Sequence, residues 1–202
     1  MRKKAIIISI KGYYLSIKEQ VLITNEKPWG LILFKRNIKS LTQVKNLIKK
    51  IRKCSKDPKL PILIDEEGKT VSRLGKIINH NFSQKLFGDI YQYNPKTALI
   101  IYKNYIDQLT NLLRKIGINI NTVPVLDVIR KTTNKVIGKR SFSNNPIIVK
   151  KLGEVCVNQY KKNKIGTVIK HIPGHGCSML DSHLKTPKVK INYRNLNKID
   201  FF

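Results

Sequence analysis

Five short apolar runs, each separated from the next by a helical pattern, constrain this chain more than any other feature. Residues 4–10, 30–34 (GLILF), 61–64 (PILI), 123–128 (VPVLDV) and 165–169 (IGTVI) have strand length and no regular polar alternate face. Strands of that kind are buried on both sides, the pattern of a parallel sheet covered by helices. Helical periodicity fills the gaps at 16–24, at 40–52, from about Pro95 onward, and at 146–162. In the second of these, Leu41, Val44, Leu47, Ile48 and Ile51 share one face and lysines the other. In the third, Tyr102, Tyr105, Ile106, Leu109, Leu112, Leu113 and Ile116 form the buried stripe, and Gly117 stands where a helix terminator belongs. Polar residues gather just after the strand ends: Lys35-Arg36, Asp65-Glu66-Glu67, Asp127 and Lys170-His171. In a (β/α)8 barrel those positions face the active-site mouth. An open doubly wound sheet is the alternative, but no G-x-G-x-x-G follows the first strand. No repeat, low-complexity tract or linker divides the chain, so a single domain is expected.

Charge comes next, because 202 residues carry a net charge of +28. Such a balance ordinarily points to nucleic acid. Here only eight of the 40 basic residues are arginine, and the lysines are spread over the whole chain among abundant Asn and Ile. A residue-usage bias produces that distribution, and no RNP-type, helix-turn-helix or zinc-finger pattern accompanies it. No specific nucleic-acid partner is expected. The apolar runs at 5–10 and 98–102 are too short to span a bilayer. MRKKAIIISI lacks a small-residue cleavage site and reads as a first strand rather than a leader. Three cysteines at unrelated spacings fit a reducing compartment, so a cytoplasmic protein without membrane association is expected.

Three of the four histidines fall in one stretch, KHIPGHGCSMLDSHLKTP (170–187). His171 and His175 are four apart, as on a zinc-binding helix, but Pro173 and Gly174 between them forbid a regular helix. Cys177 has no Cys-x-x-Cys partner to complete a site. A loop at the mouth of the fifth strand is expected, with no metal. Taken singly, Asp65 reads as a loop acid or helix cap, Arg140 as a surface residue and His183 as a solvated histidine. His80 reads as a surface residue and His175 as a shaper of the loop. Asp127 is expected to hold a nearby basic group rather than to touch a ligand.

In order, LILFKRNIKS (31–40), PILIDEEGKTVSRL (61–74), GININTVPVLDV (117–128), VIGKRSFSNNP (136–146) and KHIPGHGCSMLDSHLKTP (170–187) resemble the N-terminal barrel of glycoside hydrolase family 3. The subgroup resembled is the bacterial β-N-acetylglucosaminidases of peptidoglycan recycling. The K-H-x-P-G-H-G…D-S-H signature is the specific part. The resemblance implies retaining hydrolysis of terminal β-linked N-acetylglucosamine, with no cofactor and a muropeptide-type carbohydrate as partner. It implies that His183 is the acid/base and that Asp181 orients it. A histidine titrates near neutrality and so can give a proton in one step and take one in the next. It also implies that Asp65, Arg73, Arg140, Lys170 and His171 contact the substrate.

The chain departs from the family pattern at Lys69 and Thr70, which replace the usual Gly-Arg, and at Lys139, which replaces an acid before R-S-F. Loss of that acid is expected to loosen Arg140. Five strand–helix units are expected against the eight of a complete barrel. The resemblance puts the nucleophilic aspartate on a later strand and the next helix at the end of this sequence, so residues 1–202 read as a C-terminally truncated barrel domain. A non-catalytic binder of carbohydrate or polyanions is the alternative.

Overall fold

The computed structural model describes residues 3–180, 184, 186–189 and 191–201. Strand β1 (Lys4–Ile8) leads into helix α1 (Ile17–Glu26). A reciprocal cap starts α1: Ser16 Oγ accepts the Glu19 N–H at 3.2 Å, and the Glu19 carboxylate accepts the Ser16 N–H at 2.8 Å. Strand β2 (Pro28–Leu33) and helix α2 (Leu41–Ser55) follow, then β3 (Ile62–Ile64). Helices α3 (Gln84–Tyr93) and α4 (Pro95–Ile116) share Asn94. Its N–H closes α3 on the Ile90 carbonyl, and its side chain caps α4 at the Thr97 N–H. Gly117 ends α4 at φ 98°, a left-handed conformation that a side chain would strain. Strand β4 (Ile120–Asn121), helix α5 (Pro146–Lys162), strand β5 (Gly166–Thr167) and helix α6 (Tyr193–Ile199) complete the described elements.

All four strand pairings are parallel, and the order is β1-β2-β3-β4-β5. Each crossover therefore steps to the adjacent strand in the same direction. A doubly wound sheet reverses its strand order partway; this one does not, so the winding is that of a (β/α) barrel. Among the described residues the sheet has five strands, against the eight of a complete barrel. The core lies between sheet and helices. Leu31, Leu33, Ile62 and Ile64 are fully buried against Val44, Ile48 and Ile51 of α2 and Ile106 and Leu113 of α4. Beside them Phe87, Tyr102, Tyr105 and Phe142 form an aromatic cluster, with ring centroids 4.5–5.7 Å apart along the Tyr102–Phe87–Tyr105 and Tyr102–Phe142 contacts. Gly88 lets α3 approach this cluster, since a Cβ there would stand 1.8 Å from the Phe142 carbonyl oxygen.

Three details differ from expectation. The fourth strand pairs at Ile120–Asn121, ahead of the 123–128 run. Pro124 has no N–H to give a ladder, and beyond it a single bridge joins Val125 to Lys170. Val123, Val125 and Val128 are nonetheless buried, which is why the run looks strand-like in the sequence. Helix α3 has no counterpart in the sequence reading, and α6 begins at Tyr193 rather than at the end of the chain. Among the described residues no helix is long and apolar enough to cross a membrane.

Candidate active site

The C-terminal ends of β3, β4 and β5 converge on a cleft of about 610 Å³ lined by Asp65, Glu67, Thr70, Val71, Arg73, Lys135, Val136, Arg140, Lys170, His171 and His175. Asp65 directly follows β3. Its carboxylate takes Arg73 Nη2 at 3.1 Å, Lys170 Nζ at 3.3 Å and the Thr122 hydroxyl. Burial alone raises the Asp65 pKa, but the Thr122 hydroxyl, Lys170 and Arg73 together outweigh it and hold the acid below its ordinary value. Asp65 is therefore a fixed anion with lone pairs to spare, suited to accept from hydroxyl groups.

The side chain of Glu67, two residues on, is 2% exposed and ties the two halves of the cleft together. It accepts Lys170 Nζ at 2.5 Å and clamps the Arg140 guanidinium through two bonds, Nε at 2.8 Å and Nη2 at 2.9 Å. Arg140 is thus held firmly, contrary to the expectation from Lys139. The orienting acid, Glu67, comes from the loop after β3 instead of from the adjacent position. Gln84 of α3 adds a second restraint by donating to the Arg140 carbonyl at 2.6 Å. Burial lowers the Arg140 pKa, yet Glu67, with Asp127 and Asp65 behind it, reverses the sign and leaves it raised.

His171 and His175 approach each other edge-on, 5.6 Å between ring centroids. Buried Asp127 serves both: Oδ2 pairs with His171 Nδ1 at 2.6 Å and Oδ1 accepts the His175 backbone N–H at 2.6 Å. Asp127 thus holds a basic group, as expected, and the far face of His171 reaches Arg140 Nη2 at 3.5 Å. The loop is closed on its other side by Arg130, which bonds the Cys177 sulfur and pairs with Asp200 at 2.5 Å. Burial first, then Asp200, pushes the Cys177 thiol up to about 11, so it is a packing group rather than a nucleophile. Among the described residues no group of three or more His, Cys, Asp or Glu could hold a metal ion.

Of the residues expected at the site, Asp65, Arg73, Arg140, Lys170 and His171 come together around this cleft. Asp181 and His183 lie outside the described residues. His80 is not a surface residue: its side chain is 10% exposed and its Nε2 meets buried Glu66 at 2.8 Å. Sequence reasoning missed Glu67, Thr122 and Gln84. The strand-end position of the acidic triplet was visible, but three consecutive acids do not show which one turns into the cleft.

An all-parallel sheet wound in one direction, with its charged groups gathered at the carboxyl ends of the strands, defines a barrel-type enzyme domain. This chain belongs to glycoside hydrolase family 3: the profile described as "Glycosyl hydrolase family 3 N terminal domain" matches residues 7–202. It is 31% identical over 179 residues to a β-hexosaminidase of Xanthomonas campestris pv. campestris, covering 89% of this chain and 53% of that protein. NagZ from Neisseria gonorrhoeae, solved in complex with N-trifluoroacetyl-D-glucosamine, superposes with a TM-score of 0.89 at 28% identity over 98% of this chain and 58% of that one. A family 3 β-N-acetylglucosaminidase from Paenibacillus sp. str. FPU-7 superposes at 0.87 with 27% identity, over 96% of this chain and 36% of that one. The chain spans about half the length of the curated relatives it matches.

Proposed function

We propose that this chain supplies the sugar-binding cleft and the acid/base group of a retaining β-N-acetylglucosaminidase acting on cell-wall muropeptides. The observation that carries the proposal is the convergence of Asp65, Arg73, Arg140, Lys170 and His171 on one cleft at the strand ends. A pyranose presents hydroxyls that both donate and accept. Asp65 would accept from them, and Arg73, Arg140 and Lys170 would donate. Arg140 and Lys170 are already restrained by Glu67 and Asp65, so little of their side-chain freedom remains to be lost when a sugar binds.

In the proposed reaction a carboxylate attacks the anomeric carbon while His183 protonates the departing glycosidic oxygen. His183 then takes a proton from the water that releases the sugar, and Asp181 stabilises the imidazolium between the two steps. No carboxylate of residues 1–202 is assigned to the attack, and the proposal places that group on a further strand–helix unit. The purified 202-residue chain is therefore expected to release no aryl alcohol from an aryl N-acetyl-β-glucosaminide. Turnover that His183→Ala abolishes would overturn this division of labour.

The net charge of +28 favours a second reading, a non-catalytic polyanion binder. Salt separates the two: polyanion binding weakens steeply as ionic strength rises, whereas binding of a neutral sugar hardly responds.

A further inference from the structure

Residues 65–83 run from the end of β3 to the cap of α3 without a helix or strand and bring Thr70, Val71 and Arg73 to the cleft. The Arg73 side chain is restrained lightly. It makes one bond of 3.1 Å to Asp65, its Cζ stands 5.7 Å from the Phe34 ring centroid, and its buried Nε has no partner. Its position is set through the backbone. Glu66, whose side chain is 0% exposed, turns away from the cleft and takes the N–H groups of Arg73 and Leu74 on Oε2 at 2.7 and 2.9 Å. Its other oxygen meets His80 Nε2 at 2.8 Å, and His80 in turn faces the Tyr105 hydroxyl at 3.5 Å. The Glu66 backbone is itself pinned to β4, because the Asn121 side-chain amide accepts its N–H and donates to its carbonyl, both at 2.9 Å.

We infer that Glu66 is a positioning residue for sugar recognition: it transmits the frame of β4 to the 66–82 loop and so places the Arg73 guanidinium beside Asp65. A buried carboxyl group is costly unless both its oxygens are hydrogen-bonded. Here three bonds are made, to the Arg73 and Leu74 amides in the middle of the loop and to His80 near its end. This inference rests on the carbohydrate reading of the cleft for its ligand but not for its geometry.

The test titrates N-acetylglucosamine into the 202-residue chain by NMR and follows backbone amide exchange in the same samples. Glu66→Ala is expected to weaken binding about tenfold, as Arg73→Ala does, and the double variant is expected to be no weaker than either. Glu66→Gln is expected to retain binding within about twofold. Its amide oxygen can accept the two N–H groups and its amide nitrogen can donate to His80. The Arg73 and Leu74 amides are expected to exchange faster in Glu66→Ala, with α4 still protected, and to stay slow in Glu66→Gln. Additive losses from Glu66→Ala and Arg73→Ala would overturn the inference, as would unchanged exchange at Arg73. If the unsubstituted chain binds no sugar, the carbohydrate reading falls, and the exchange result alone then decides whether Glu66 fixes Arg73.

Discussion

Single side chains at this site act through their partners. Glu67 is the clearest case, since one buried carboxylate holds both Arg140 and Lys170. Glu67→Ala leaves the Arg140 guanidinium without its anion and Lys170 with Asp65 alone, and is expected to cost about 3 kcal/mol, the lower end for a broken buried pair because both cations keep some solvent. Urea unfolding checks this, and a loss below about 1 kcal/mol would show that solvent replaces Glu67 freely. Asp65 makes a separate prediction with a definite sign. Its folded pKa is lowered, so its contribution to stability is full above the unfolded carboxylate value of about 4 and is lost as pH falls through the lower folded value. Unfolding midpoints measured on descent below about pH 4 should therefore drop more steeply for the natural chain than for Asp65→Asn. Asp65, Lys170 and His171 were legible as strand-end groups because each stands one or two places beyond an apolar run, and their expected part in a site came from the family resemblance. Glu66 and His80 were not, because a buried acid–imidazole pair separated by 13 intervening residues leaves no local spacing signal.

Among the elements, the helices with strong caps and long apolar stripes matched the sequence within a residue or two at most ends. Helix α5 (Pro146–Lys162) and the Gly117 terminus of α4 are examples, since Asn145-Pro146 and glycine encode those ends locally. Helix α3 escaped notice because it is only ten residues long and Gly88 sits inside its apolar set of Leu86, Phe87, Ile90 and Tyr91. A helix that short is marginal by itself and relies on packing against α4 and the Phe142 segment. Gly88→Ala tests that dependence. The added Cβ collides with the Phe142 carbonyl, so a loss of roughly 1–3 kcal/mol is expected, read as a lowered thermal midpoint. Because α3 carries Gln84, the same change should also weaken sugar binding by displacing Arg140; full stability with full binding would show that α3 can shift without consequence.

For the whole molecule, a parallel sheet covered by helices was already implied by apolar runs without a polar face, whereas its one-directional winding was not. What the sequence could not show is how the two outer strands end. Ile6, Ile7 and Trp29 at the β1 side, and Val168 and Ile169 at the β5 side, are each 42–50% exposed. Such edges favour self-association. Ile7→Lys is expected to lower the sedimenting mass at high concentration, and an unchanged distribution would mean the β1 edge plays no part. The dispersed lysines oppose association by mutual repulsion at low salt, so aggregation should increase as salt screens them. The central claim is that the cleft of Asp65, Arg140 and Lys170 recognises N-acetylglucosamine. Chemical-shift mapping of that sugar on the 202-residue chain tests it most directly. Saturable shifts confined to the ends of β3–β5, insensitive to salt and lost in both Asp65→Asn and Arg140→Met, are the predicted result. Absence of saturable binding, or binding that survives both substitutions, would contradict it.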